Sequence, residues 1–158
     1  MGVTIYTIGY QRLKPTRLQE IATVLDAIVI DCRVRPQSRR AEFNKPALEK
    51  LLGSRYLWRG YQLGGRSYGG QQGAITQEGI DWLRIQAAHQ NLLLLCMEEA
   101  PGECHRHHGI CDPHFPDAIH IYRDELLTAD SLRICIKDDV DYTLCGSLRG
   151  LLGRNQPN

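Results

Sequence analysis

The sequence predicts a three-layer α/β domain with a mostly parallel central sheet and helices on both faces, and three observations lead there. Short apolar runs rich in β-branched residues alternate along the chain with segments whose apolar residues recur at helical spacing. The run from Leu92 to Cys96 is apolar at every position, the mark of a central strand buried on both sides. The 158 residues, 42% hydrophobic and 23% charged, suffice for one domain with a real core and exclude a disordered or fibrous chain.

Val3 to Ile8 is β-branched and aromatic and stops at Gly9, which predicts the first strand. Leu18, Ile21, Ala22 and Leu25 then recur at helical spacing, and Thr16 with Gln19 forms a capping-box signature that places the helix start near Thr16. Ala27 to Asp31 reads as a second, fully buried strand. Arg33 to Arg40 is a loop with four arginines and no acidic residue. Asn44 is placed to cap a short helix through Leu52, with Pro46 tolerated in its first turn, and Arg55 to Trp58 makes a third strand. Gly60 to Gly73 is the most glycine-dense part of the chain and reads as a loop carrying Tyr61, Arg66 and Tyr68. Thr76 to His89 is a helix with Ile80, Leu83 and Ala87 on one side, ended by Asn91. After the fourth strand, Cys104 to Cys111 reads as a helix and Ala118 to Tyr122 as a strand. Leu132 to Ile136 and Tyr142 to Leu144 suit a closing hairpin or extra edge strands. Residues 1–153 are thus expected as one domain and residues 154–158 as a short disordered tail.

No stretch approaches the roughly 18 consecutive apolar residues of a membrane span, so no membrane partner is expected and the cytoplasm is the expected location. The cysteines Cys32, Cys96, Cys104, Cys111, Cys135 and Cys145 are read as free thiols, because the chain is too long to need disulfide staples. The net charge of +1 conceals a polarised chain. Residues 1–72 carry twelve Lys and Arg against five Asp and Glu, whereas residues 73–158 carry seven against thirteen. Fifteen of the nineteen cations are arginine, whose planar fork suits phosphate or carboxylate; an anionic small molecule or nucleic acid is the expected partner. Two halves of opposite sign also attract each other, and that reading stands beside the first. The near-neutral whole favours a local groove over broad duplex binding. Oligomeric state is left open.

In open parallel sheets, ligands gather beyond the carboxyl ends of the strands. The residues there are Gly9, Tyr10 and Arg12; then Asp31, Arg33 and Arg35; then Arg59 and the glycine loop; then Cys96, Glu98, Cys104, His105 and Arg106. The same residues carry a resemblance. Thr7-Ile8-Gly9-Tyr10, Ile30-Asp31-Cys32-Arg33 with Pro36 and Ser38, Phe43, Leu63-Gly64-Gly65, Cys96-Met97-Glu98, Cys104-His105-Arg106 and His120-Ile121 resemble, in order, the motifs of the domain of unknown function 488 family. The match spans residues 5 to about 122; Cys32 stands where an aliphatic residue is expected, and no motif follows Asp124. The resemblance implies a Rossmann-like α/β fold and brings no established reaction.

Glu98, two residues beyond a buried strand, is a candidate general base or nucleophile; its bland alternative is a helix-capping or arginine-pairing carboxylate. Cys96 is a candidate nucleophile at a strand end, although Glu98 and Glu99 beside it oppose thiolate formation and a buried apolar role suits it better. Cys104 gains thiolate character if it opens a helix beside His105 and Arg106. Arg33, Arg35 and Arg106 are expected to hold the anion, unless Arg106 pairs with Asp31 or Glu98. Gly9, Tyr10, Asp31, Ser38, Gly64, Gly65, Arg66 and His105 are expected around the ligand. No cofactor is required, though zinc on Cys104, His108 and Cys111 is a minor alternative. The leading function is an enzyme acting on a nucleotide, nucleoside or nucleic-acid-derived anion. The alternatives are cysteine-dependent sulfur or phosphoryl transfer through Cys104 or Cys96, and a non-catalytic module that binds a nucleotide or single-stranded nucleic acid.

Overall fold

Short apolar runs form the strands, and amphipathic segments the helices, of a computed structural model that describes residues 3–65, 73–122, 125–128 and 146–147. Strands β1 (Ile5–Gly9), β2 (Ala27–Asp31), β3 (Tyr56–Trp58), β4 (Asn91–Cys96) and β5 (Ile119–Tyr122) run parallel in the order β3-β2-β4-β1-β5. Strand β6 (Glu125–Thr128) pairs antiparallel with β5, and β7 (Gly146–Ser147) antiparallel with β6. Helices α1 (Pro15–Val24) and α2 (Lys45–Leu52) cover one face, burying Leu18, Ile21, Leu48 and Leu52 against Ile8, Val29, Leu93 and Leu95. Helices α3 (Gly60–Leu63) and α4 (Gln77–Ala87) cover the other with the turn at Arg106–Cys111, which runs into α5 (Asp112–His114). There Leu63, Ile80, Leu83 and Ile110 meet Ile30, Leu92 and Leu94.

The chain is therefore a three-layer α/β domain with a mostly parallel sheet. Its order differs from the 3-2-1-4-5 arrangement of dinucleotide-binding folds, because β4 lies between β2 and β1. That central position explains the unbroken apolar run: Leu92, Leu93, Leu94 and Leu95 alternate between the two faces and are all fully buried. Each contributes about 1.5–3 kcal/mol of transfer free energy. No helix among the described residues is long and apolar enough to cross a membrane.

Several local expectations change. Helix α1 begins at Pro15 after Lys14, with no side-chain cap; the fixed φ of proline starts it in place of the Thr16 capping box. Asn44 precedes α2 but spends its Oδ1 on the Ser38 amide 2.6 Å away rather than on the helix. Thr76 does cap α4, accepting from the Gly79 amide at 3.0 Å. Asn91 belongs to β4, where it accepts from the Thr4 amide and donates to the Leu25 carbonyl, tying the starts of three elements together. Residues 106–111 wind as a wide π-helical turn, a form common at functional sites. The segments 132–136 and 142–144, the tail, Cys135, Cys145, Arg66 and Tyr68 lie outside the described residues.

The order brings three strand ends together. Gly9 pairs with Cys96 and Asp31 with Leu95. The ladder continues past the strands through Tyr10 N to Cys96 O (3.1 Å) and Cys32 N to Leu95 O (3.0 Å). Cys96 thus sits between the residues that leave β1 and β2.

Candidate functional site

Beyond these ends lies a cavity of about 520 Å³ with two chemically different walls. One is the segment after β2, carrying Arg33, Arg35, Arg39 and Arg40; the other is the end of β4 with the segment after it, carrying Cys96, Met97, Glu98 and His105. A neighbouring cavity of about 440 Å³ is lined by Gly9, Arg12, Lys14, Arg17 and Glu99 but by no thiol or imidazole.

The arginine wall is built on a buried ion pair. Arg33 donates through Nε to Asp31 Oδ1 (2.8 Å) and through Nη2 to Asp31 Oδ2 (2.7 Å). Nη2 also donates to the Phe43 carbonyl at 2.8 Å, and Tyr56 Oη donates to Asp31 Oδ2 at 2.5 Å. Burial works against the Arg33 cation, but its hydrogen bonds to Asp31 and that carboxylate's charge outweigh it and raise the pKa. Burial, then the charge of Asp31, raises Tyr56 well above the ordinary phenol range. Arg33 also lies 5.0 Å over the Tyr10 ring, which itself stacks on Phe43 at 4.8 Å. Its Nη1 is buried without a hydrogen-bond partner among the described residues. Arg40 reaches across to the carbonyls of Tyr10 (2.7 Å) and Leu13 (2.6 Å), joining this loop to the chain leaving β1. Ser38 accepts from the Arg40 amide at 3.0 Å and shapes the turn. Arg35, whose Nε donates to Gln37 at 3.0 Å, and Arg39 have no ion-pair partner among the described residues and are exposed on the cavity rim.

The facing wall depends on two close approaches that only glycine permits. A Cβ on Gly9 would stand 1.7 Å from the Glu98 carbonyl oxygen, and one on Gly65 would stand 2.1 Å from Cβ of His105. Gly9 lets the 98–99 backbone fold over the end of β1; Gly65 lets the chain after α3 press against the His105 ring. Gly64 faces away, against Val34 and the Gly60 carbonyl.

Four reactive groups meet on this wall. Cys96 Sγ lies 3.4 Å from Glu98 Oε2 and 3.7 Å from His105 Nδ1, and Cys104 Sγ lies 3.8 Å from the same nitrogen. Cys96, Glu98 and His105 line the cavity, whereas Cys104 lies behind them and is 1% exposed. The Cys96 thiol, hydrogen bonding to Cys104, lowers the Cys104 pKa against the cost of burial, with help from His105 and Arg106; the same hydrogen bond and burial raise Cys96. Burial opposes protonation of His105, but its hydrogen bond to Cys104 and the Cys104 charge raise its pKa. Its Nε2 is buried without a hydrogen-bond partner among the described residues.

Arg106 is absent from the cavity wall. It is fully buried and donates through Nη1 to the Glu98 carbonyl (2.6 Å), through Nη2 to the Glu99 carbonyl (3.1 Å) and through Nε to Thr7 Oγ1 (3.2 Å). It pairs with neither Asp31 nor the Glu98 carboxylate among the described contacts; it fixes the backbone that presents Glu98. Thr7 in turn lies 2.6 Å from His120 Nδ1, and the His107 ring meets His120 edge-on with centroids 5.1 Å apart. Burial, then the Arg106 charge, pushes the His120 pKa down to about 3.

The zinc set Cys104, His108 and Cys111 does not assemble. The wide turn at 106–111 breaks the helical spacing on which that set relied, and His108 is exposed with its Nε2 hydrogen-bonded to the Gly102 carbonyl. Among the described residues, the one group of three whose ligand atoms all lie within 4.8 Å of one another is Cys96, Cys104 and His105. The sequence pointed to Gly9, Tyr10, Asp31, Arg33, Arg35, Ser38, Gly65, Cys96, Glu98, Cys104 and His105 at this edge, but not to Gln11, Val34, Gln37, Arg39, Arg40 and Met97 on the cavity wall. Position after a strand was the available signal for Met97, and the density of arginine for Arg39 and Arg40. No protein-family model matches this chain, and neither the curated proteins nor the solved structures compared with it give a match.

Proposed function

We propose that the chain is an enzyme acting on a phosphate-bearing, nucleotide-like substrate, with Glu98 as general base or nucleophile. One observation carries this reading: a single cavity sets uncommitted arginine opposite a carboxylate, a thiol and an imidazole. Its volume of about 520 Å³ lies within the range of small-molecule sites. Arg35 and Arg39 take the anion, while Arg33, locked to Asp31, shapes the wall. Met97, 46% exposed, and Val34 offer apolar surface for a heterocycle. Arg106 enters by holding the backbone of Glu98 rather than by touching the ligand. The resemblance to the domain of unknown function 488 family forms part of the proposal, since its motif residues Gly9, Cys96, Glu98, Cys104, His105 and Arg106 are those that meet here.

A thermal-shift panel of nucleotides, nucleosides and oligonucleotides tests it. A true ligand at 100 times its Kd stabilises the fold by about 2.7 kcal/mol. The reading expects a shift with phosphate-bearing compounds and slow conversion of at least one of them. Glu98→Gln is expected to abolish conversion and keep the shift. Full conversion by that variant, or no shift with any anionic compound, would refute the proposal.

A further inference from the structure

The two sulfurs nearest the cavity floor converge on one nitrogen. Cys96 Sγ and Cys104 Sγ lie 3.7 and 3.8 Å from His105 Nδ1. A ring nitrogen carries either one lone pair in the ring plane or one proton, so it serves one good hydrogen bond. Two sulfurs at equal range have a simpler common cause. A tetrahedral zinc ion, with Zn–S of about 2.3 Å and Zn–N of about 2.0–2.1 Å, sets each S···N edge at about 3.6 Å. The third edge is compatible, because all three ligand atoms lie within 4.8 Å of one another.

The geometry points to a metal site in which Cys96, Cys104 and His105 hold one thiophilic divalent cation, zinc foremost, with its fourth position open to the cavity. Two thiolates and an imidazole are a soft set that selects zinc over magnesium or calcium. Three protein ligands with a vacant position is the arrangement of catalytic rather than structural zinc. The ligands are held in place before any ion arrives. Tyr10 N donates to the Cys96 carbonyl, the amides of His107 and His108 donate to the Cys104 carbonyl, and Gly65 packs on the His105 ring. Because Cys104 lies behind while Cys96 and His105 line the cavity, the open position faces the arginine wall.

Glu98 gains a specific task. Its Oε2 is 3.4 Å from Cys96 Sγ, beside the ion rather than within the three-ligand set. A water on the open position gives one proton to the Glu98 carboxylate and becomes a metal-bound hydroxide; the hydroxide adds to an electrophilic carbon or phosphorus, and the protonated Glu98 returns the proton to the leaving group. Water is the only co-reactant. In zinc deaminases, too, a carboxylate that is not a ligand carries this proton. This step rests on the reading of the cavity as an active site, whereas the metal site stands on the ligand geometry alone.

The test uses the full chain, kept reduced, stripped by a chelator and titrated with Co(II) without any substrate. The expected result is one cobalt per chain, with thiolate-to-cobalt charge-transfer absorption and tetrahedral d–d bands, displaced by one equivalent of zinc. Cys96→Ser and His105→Ala each weaken binding by at least about 100-fold, beyond the 10–100-fold typical of outer-shell changes. His108→Ala binds as the native chain does. Cys96 and His105 border the cavity, so these two variants remain informative if Cys104→Ser fails to fold. No charge-transfer band with thiols shown to be reduced, or unchanged affinity in Cys96→Ser, overturns the site. Glu98→Gln is expected to bind cobalt with the same stoichiometry while losing turnover. Cobalt binding without turnover of any anionic compound removes the proposed function and leaves the site; turnover by the stripped chain removes the metal-bound hydroxide and leaves the proposed function.

Discussion

The segments after β2 and after β4 face each other across one cavity, and each is organised by a buried arginine. Arg33 is met by the Asp31 carboxylate on two donors, so its charge is neutralised where it lies and the pair serves as a rigid corner. Arg106 is met by two main-chain carbonyls and a hydroxyl, and among the described residues no carboxylate lies within ion-pair range. Its charge persists and acts on its neighbours, favouring the anion of Cys104 and disfavouring the cation of His120. Arginine paired with a carboxylate sets shape; arginine held by carbonyls sets shape and field together.

Breaking each anchor separately sharpens this difference. The largest effect is expected from Asp31→Asn, which leaves a buried guanidinium without its carboxylate and costs about 3–5 kcal/mol in urea unfolding. Arg106→Leu strips partners from the Glu98 and Glu99 carbonyls and costs about 3 kcal/mol, with turnover lost in the fraction still folded because Glu98 is no longer presented. If Arg106→Leu unfolds at the native urea midpoint, the contrast between the two arginines fails.

A third test reads burial and the Arg106 charge together at His120. The unfolded His120 binds a proton below its ordinary value near 6.5, whereas the folded one, buried and beside Arg106 and His107, binds it only near pH 3. The unfolded state therefore holds more protons in that window, and the native chain loses stability as pH falls through it, with a slope from this group of about 1.4 kcal/mol per pH unit at most. The difference between native and His120→Gln unfolding free energies is expected to narrow as pH falls from 6.5 to 3. A constant difference would mean that burial and the Arg106 charge do not hold the His120 imidazole neutral. The smallest stability effect belongs to the exposed cations: Arg35→Ala and Arg39→Ala are expected to stay within about 0.5 kcal/mol of the native fold. Each should weaken a phosphate-bearing ligand by about tenfold, read as a smaller thermal shift.

The three layers were legible because apolar period reports which face of a segment is buried. The run at 92–95 announced a central strand, and its central place made the residues just beyond it, Cys96 and Glu98, part of the site. Strand order was not legible, since it depends on how crossovers pack rather than on any period within a segment. Arg106 was misplaced for a related reason. Its partners are main-chain carbonyls, which leave no trace in residue identity, so a buried guanidinium looks the same in sequence as one awaiting a phosphate. The set Cys104, His108 and Cys111 assumed 3.6 residues per turn, and nothing in the residue types marked the wider winding at 106–111.

The position of β4 also bears on how the chain comes together. β1 and β2 have no ladder with each other; each pairs with β4, so during synthesis both wait with an open edge until residues 91–96 have emerged. Such sequence-distant parallel pairing is slow and exposes edges to misassociation. The strand that joins β1 to β2 ends on Cys96, and Glu98, Cys104 and His105 come after it. The thiols, carboxylate and imidazole of the reactive wall are therefore synthesised directly behind the strand that joins β1 to β2, before β5 adds Ile121 and its flank adds Ala118 to the core.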